Sequence, residues 1–174
     1  MEPVAYPYMA PGRTFLFVSS THPLMAEAVN TRGTHAGDPL FPVGAILVRD
    51  DRVIARAGNG FNRGSGESHL CPRILQGCKS GEGYDLCHLH DTDGHAEPMA
   101  VAMAKQAGEN TVGADCYLYG HWWCCEPCWK ALIDAGIRNV YLPEDAHLLF
   151  SKEAVYSQTL KGYPEEIRKK YGIV

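Results

Sequence analysis

The 174-residue chain carries 16 Lys and Arg against 20 Asp and Glu, a net charge of −4, with 45% apolar and 21% charged residues. That length suits one domain, residues 1–174, able to bury an ordinary core without disulfide staples. The mild acidity and the lack of a basic run weigh against a nucleic-acid partner, and no apolar run reaches the ~18 residues of a membrane span.

The opening stretch MEPVAYPYMAPGRTFLF holds Glu2 and three prolines rather than a basic start and an apolar core. No secretory signal is expected there. Seven cysteines, an odd number, crowd near histidines. This favours metal ligation in a reducing compartment over a disulfide framework, hence a cytoplasmic protein. PLMAEAVNTRG (23–33) has helical spacing and ends near Gly33. VGAILV (43–48) and VIARAG (53–58) are β-rich runs joined by RDDR, a hairpin signature. Residues 60–94 are glycine-rich, with three cysteines, three histidines and little apolar periodicity. So long a stretch without structure is improbable inside a compact domain unless something pins it. EPMAVAMAKQAG (97–108) is a helix stopped by Gly108, DCYLYG (115–120) a strand, PCWKALIDAG (127–136) a helix stopped by Gly136, and NVYLP (139–143) a strand. From about 145, SKEAVYSQTL and PEEIRKKYG suggest a helix and a polar end. Strands alternating with helices predict an α/β layered domain.

The stretch HWWCCEPCW (121–129) places three cysteines within five positions. A catalytic zinc takes three thiolate or imidazole ligands and keeps a fourth position for water. Cys125 and Cys128, spaced i, i+3 at a helix start, share one face of its first turn, where the helix N-terminus favours thiolate. Pro127 is tolerated in that turn. Cys124 with Cys128, spaced i, i+4, is the alternative pair. The third ligand is either His121 or His95. His95 is followed two positions on by Glu97, and hydrolytic deamination needs a carboxylate that carries a proton from zinc-bound water to the departing nitrogen. Between Glu97 and Cys125 lie 27 residues, room for a helix, a loop and a strand.

His95-Ala96-Glu97 together with Cys125-x-x-Cys128, AGI (135–137) and a following strand resemble the paired motifs of the zinc-dependent cytidine and deoxycytidylate deaminase superfamily, over about Val43 to Tyr141. The resemblance implies a three-layer α/β/α fold with a five-stranded mixed sheet. It implies a catalytic zinc on His95, Cys125 and Cys128, with Glu97 as proton shuttle and Ala96 beside it in the pocket. The family usually has proline where Cys124 stands, and Thr or Ser is common where His121 stands. His121 and Trp122 are candidates for the pocket wall, and Trp123 and Trp129 could likewise stack on a base.

GNGFNRG (58–64) resembles the GYNGxPRG segment of deoxycytidylate deaminases, with Asn62 replacing the proline. This implies that Asn59 contacts the nucleoside, and Arg63 can offer a fork of donors to a phosphate. Cytidylate-type deaminases often carry a structural zinc in an insertion corresponding to about 65–94. The set expected here is Cys71, Cys78, Cys87 and His90, with His88 or His69 as replacement for the last. Met99 stands where deoxycytidylate deaminases typically have Asn, and PVGAIL (42–47) also resembles the adenosine- and guanine-acting branch. The expected activity is hydrolytic deamination of a free pyrimidine nucleotide, dCMP to dUMP first. Alternatives are another nucleoside or base, a tRNA or single-stranded DNA substrate, or a non-catalytic zinc module. The resemblance further implies a homo-oligomer, a dimer or hexamer, while the charge balance and the lack of a long apolar run lead us to expect no nucleic-acid or membrane partner.

Overall fold

The computed structural model describes residues 4–64, 69–79, 81–151, 154–155 and 163–170. A five-stranded sheet has the order β1-β5-β4-β2-β3, from β1 (Phe15–Val18), β2 (Gly44–Arg49), β3 (Arg52–Gly58), β4 (Asp115–Tyr119) and β5 (Asn139–Pro143). β1, β5 and β4 run parallel, while β2 is antiparallel to β4 and β3. The β2–β3 turn puts Asp50 and Asp51 at φ 51° and 59°. Two successive positive φ values match the right-handed twist of a hairpin.

β2 reads GAILVR, and every residue but the last is buried, as expected of a strand covered on both faces. Alternate residues serve the two layers. Ile46 and Val48, with Tyr117, meet Met25 and Ala28 of α1 (Pro23–His35). Ala45 and Leu47, with Leu118 and Val140, meet α3 (Ala96–Gln106) through Ala100 and Ala104, and α4 (Glu126–Asp134) through Trp129 and Leu132. Each large apolar side chain so buried contributes about 1.5–3 kcal/mol. The α/β/α layering is as expected. Gly58 lets the end of α1 reach the sheet, because a Cβ there would come within 2.2 Å of Ala36 N.

Several boundaries differ. β1, an edge strand, was not anticipated, and α1 continues through Gly33 to His35. The insertion holds a short α2 (Pro72–Leu75) and three 3-10 turns at Tyr84–Leu86, His88–His90 and Thr92–Gly94. After β5 come α5 (Ala146–Phe150) and α6 (Glu165–Lys170). Most of the helix expected in SKEAVYSQTL, and residues 65–68 and 80 of the insertion, lie outside the described residues.

Candidate active site

α3 and α4 begin at one point. His95 is the N-cap of α3 and Cys125 the N-cap of α4, with Cys128 in the first turn. His95 Nδ1 lies 3.2 Å from Cys128 Sγ and 3.5 Å from Cys125 Sγ, and the two sulfurs are 3.2 Å apart. A tetrahedral zinc, with bonds of about 2.3 Å to sulfur and about 2.0 Å to nitrogen, spaces such atoms roughly 3.5–3.8 Å apart. The three donors therefore fit the ion after widening by a few tenths of an ångström. His95 Nε2 lies 3.1 Å from the His90 carbonyl, so Nε2 carries the proton and Nδ1 keeps its lone pair for a metal. Cys125 is drawn toward thiolate first by its hydrogen bond with Cys128, against burial, and then by His95.

Cys124 is fully buried and does not join this group. Its thiol meets Glu97 instead. Glu97 is 5% exposed in the first turn of α3. Burial pushes its carboxyl above the ordinary range, opposed by His95 and by the Cys124 hydrogen bond. One cavity is lined by His95, Ala96, Glu97 and Cys125, and by His121 and Trp122 from the β4–α4 loop. The sequence-predicted centre thus assembles from parts far apart in the chain.

His121 Nδ1 lies 2.5 Å from the Trp123 carbonyl. An oxygen without a proton must accept, so Nδ1 is the protonated nitrogen and Nε2 is left as an acceptor. Burial lowers its pKa to about 4, which keeps the ring neutral near neutral pH. Trp122 stacks on Tyr6 with centroids 5.8 Å apart. Asn59 also lines the cavity, but its amide is already engaged. Oδ1 accepts from Val43 N at 3.0 Å, and Nδ2 donates to the Phe41 carbonyl at 2.7 Å. One hydrogen and one lone pair remain for a ligand.

Arg63 is exposed, lies over the Phe61 ring at 5.5 Å and does not line the cavity. The turn before it explains this placement. Gly60, Phe61 and Asn62 take φ 59°, 59° and 56°, a left-handed run that proline at position 62 could not adopt. Three residues not anticipated from the sequence, Arg73 and Tyr84 of the insertion and Phe41 beside β2, also line the cavity. The motif CPR put Arg73 two residues from an expected metal ligand, which was the only signal available.

The second cluster gathers His69, Cys71 and Cys87, with ligand atoms all within 4.8 Å of one another. His69 Nε2 is 3.1 Å from Cys87 Sγ, and Cys71 Sγ is 3.6 Å from His90 Nδ1. His69, expected only as a replacement for His90, joins the group, and Cys78 does not. Gly77, at φ 67°, ends α2 and turns Cys78 toward Gly83, whose Cβ would lie 2.7 Å from Cys78 Sγ. His88 is exposed. His90 Nε2 sits 2.7 Å from the Oδ2 of buried Asp38, close enough for an ion pair but without the alignment of a hydrogen bond. Asp38 Oδ1 accepts from Leu40 N and Phe41 N. Burial pushes the Asp38 carboxyl up, but His90 and these amides together hold it below its ordinary range. A carboxylate backing a ligating imidazole is a recurrent support in metal sites.

A family profile described as the cytidine and deoxycytidylate deaminase zinc-binding region matches residues 18–144. The chain belongs to this family. ComE operon protein 2 of Bacillus subtilis (strain 168) is 35% identical over 107 residues, 62% of this chain and 50% of that protein. A deoxycytidylate deaminase of Schizosaccharomyces pombe is 34% identical over 100 residues, 56% of this chain and 29% of that protein. A tRNA-specific adenosine deaminase of Agrobacterium fabrum (strain C58) is 31% identical over 123 residues, 70% of this chain and 62% of that protein. The match spans half or less of the first two relatives. Among the described residues, no helix is long and apolar enough to cross a membrane.

Proposed function

We propose that this member of the family is a zinc-dependent hydrolytic deaminase of a free pyrimidine nucleotide, dCMP first. The observation that carries the reading is a buried, unligated carboxylate, Glu97, on one cavity wall with His95 and Cys125, two of the three gathered metal donors. A non-catalytic zinc module has no use for it. Zinc held by His95, Cys125 and Cys128 would supply a water acidic enough to lose a proton near neutral pH. Glu97 takes that proton on a carboxylate oxygen, the hydroxyl left behind would add to the ring carbon that bears the amine, and Glu97 delivers the proton to that nitrogen, whose bond to the carbon breaks as ammonia departs. Its raised affinity for protons suits both roles. The His90 carbonyl fixes the His95 ring. Trp122 and Phe41 exclude bulk water, and neutral His121 offers an acceptor to the base.

In the same reading a second zinc is held by His69, Cys71, Cys87 and His90, a closed four-donor set that pins the insertion. His90 then serves both centres, its ring in one and its carbonyl on His95 of the other. The protein works as a cytoplasmic homo-oligomer, in keeping with the family resemblance. A second reading, deamination of adenine in a polynucleotide, draws on the Agrobacterium relative. The net charge of −4 disfavours it.

The test is ammonia release from a panel of dCMP, CMP, deoxycytidine, cytosine, guanine and adenosine. Turnover concentrated on dCMP is expected. Turnover of another member alone overturns the substrate, and turnover of none overturns the free-nucleotide reading.

A further inference from the structure

The cavity holds a cation that the chemistry above does not use. Arg73 lies in α2 and is only 7% exposed. Its Nε donates to the Glu82 carbonyl at 2.9 Å, and its guanidinium lies 4.6 Å from the Tyr84 ring centre. Tyr84 in turn stands edge-on to His95, with centroids 5.2 Å apart. A single aromatic ring therefore separates this guanidinium from the candidate metal ligands. Among the described residues, no carboxylate lies within ion-pair distance of Arg73, and neither Nη has a hydrogen-bond partner. It is the one lysine or arginine on the described wall of the cavity.

Buried charges are ordinarily paired, since an unpaired one forfeits its hydration without return. Here Nε and the ring face are satisfied from within the insertion, which fixes the plane of the guanidinium and leaves both terminal nitrogens free. That fork matches two oxygens of a phosphate better than an ammonium would. The other nearby arginines are otherwise committed. Arg32 donates from Nε to the Pro42 carbonyl and lies over Tyr119, and Arg63 is exposed.

We propose that Arg73 is the specificity residue of this cavity, a fork that binds the 5′-phosphate of a nucleoside monophosphate while the base sits beside Glu97. The inference rests on the deaminase reading, and it explains how an enzyme of this chain would select a nucleotide over a nucleoside. The second metal cluster, through Cys71 two residues away, holds α2 and so presents the fork. The same chemistry would also fit a phosphodiester of a polynucleotide, so the test must separate the two sources.

The experiment compares zinc-loaded wild type, Arg73→Gln and Arg73→Lys in deamination of dCMP and deoxycytidine. It also measures equilibrium binding of dUMP, deoxyuridine, inorganic phosphate and a short oligodeoxynucleotide. Losing the fork should lower kcat/KM for dCMP by about 10- to 100-fold more than it lowers that for deoxycytidine, so that the preference for the nucleotide collapses. Arg73→Lys should recover part of the loss. Arg73→Gln should weaken dUMP far more than deoxyuridine, and inorganic phosphate should compete with dUMP on the wild type. The phosphate competition needs no variant, so it holds as a test even if Arg73→Gln fails to fold. An equal loss on dCMP and deoxycytidine, an unchanged dCMP preference, or no competition by phosphate overturns the assignment. Arg73-dependent binding of the oligonucleotide without binding of dUMP overturns the free-nucleotide source. If wild type turns over neither substrate yet binds dUMP through Arg73, the deaminase reading falls and the phosphate site stands.

Discussion

His121 is the residue whose protonation the fold penalises most legibly. Its pKa falls to about 4, from an ordinary 6.5, first because burial disfavours the imidazolium and then because His95 and Arg73 repel it, partly offset by its bond to the Trp123 carbonyl. Between those two values the unfolded chain binds a proton that the folded one refuses, so stability falls as pH drops from about 6.5 to about 4. A shift of this size corresponds to about 3 kcal/mol for a fully buried ring, and about 2 kcal/mol is the better expectation because His121 is half-buried. The perturbation is His121→Gln, whose amide can still donate to the Trp123 carbonyl and does not titrate. Urea unfolding of both proteins at half-unit steps from pH 7.5 to 4.5 gives the two profiles. Acid release of a thiolate-held metal lowers both curves alike, so their difference isolates the ring. The wild type should lose most of those 2 kcal/mol more than the variant across this window. Parallel profiles would refute the neutral, half-buried His121 described above, and with it the acceptor it offers the base.

Gly58→Ala drives a methyl into the Ala36 backbone at 2.2 Å and should cost about 3 kcal/mol or more, seen as a large fall in Tm. Asp38→Ala leaves the buried His90 without its carboxylate neighbour and the Leu40 and Phe41 amides without their acceptor. A loss of about 3–5 kcal/mol in denaturant unfolding should follow. Elemental analysis should find two zinc ions per chain, one in Cys87→Ser and still two in Cys78→Ser. A count of one in the wild type would remove the second centre.

The elements most legible in the sequence were those with strong local punctuation. Gly108 and Gly136, both at positive φ, close α3 and α4 within two residues of the expected ends. The RDDR turn announced the β2–β3 hairpin. β1 escaped because FLFV follows a proline-rich stretch, leaves Leu16 and Phe17 exposed, and owes its strand to parallel pairing with β5 more than 120 residues away. The gathering of His95, Cys125 and Cys128 was legible because short helix-start spacings carry it. The insertion was not, because its turns follow from Gly77, Gly83 and the thiol cluster rather than from any apolar period. Cys78 therefore stays outside the gathered donors, and Arg73 rather than Arg63 lines the cavity.

The central claim is that Glu97 moves protons beside a bound zinc. Its most direct test is Glu97→Gln, purified beside the wild type and measured for zinc content, thermal unfolding and ammonia release from the preferred substrate. Unchanged zinc and a folded protein, with turnover reduced by about 10³-fold or more, is the predicted result. Unchanged zinc with turnover near the wild-type rate would place the proton carrier elsewhere and contradict the account.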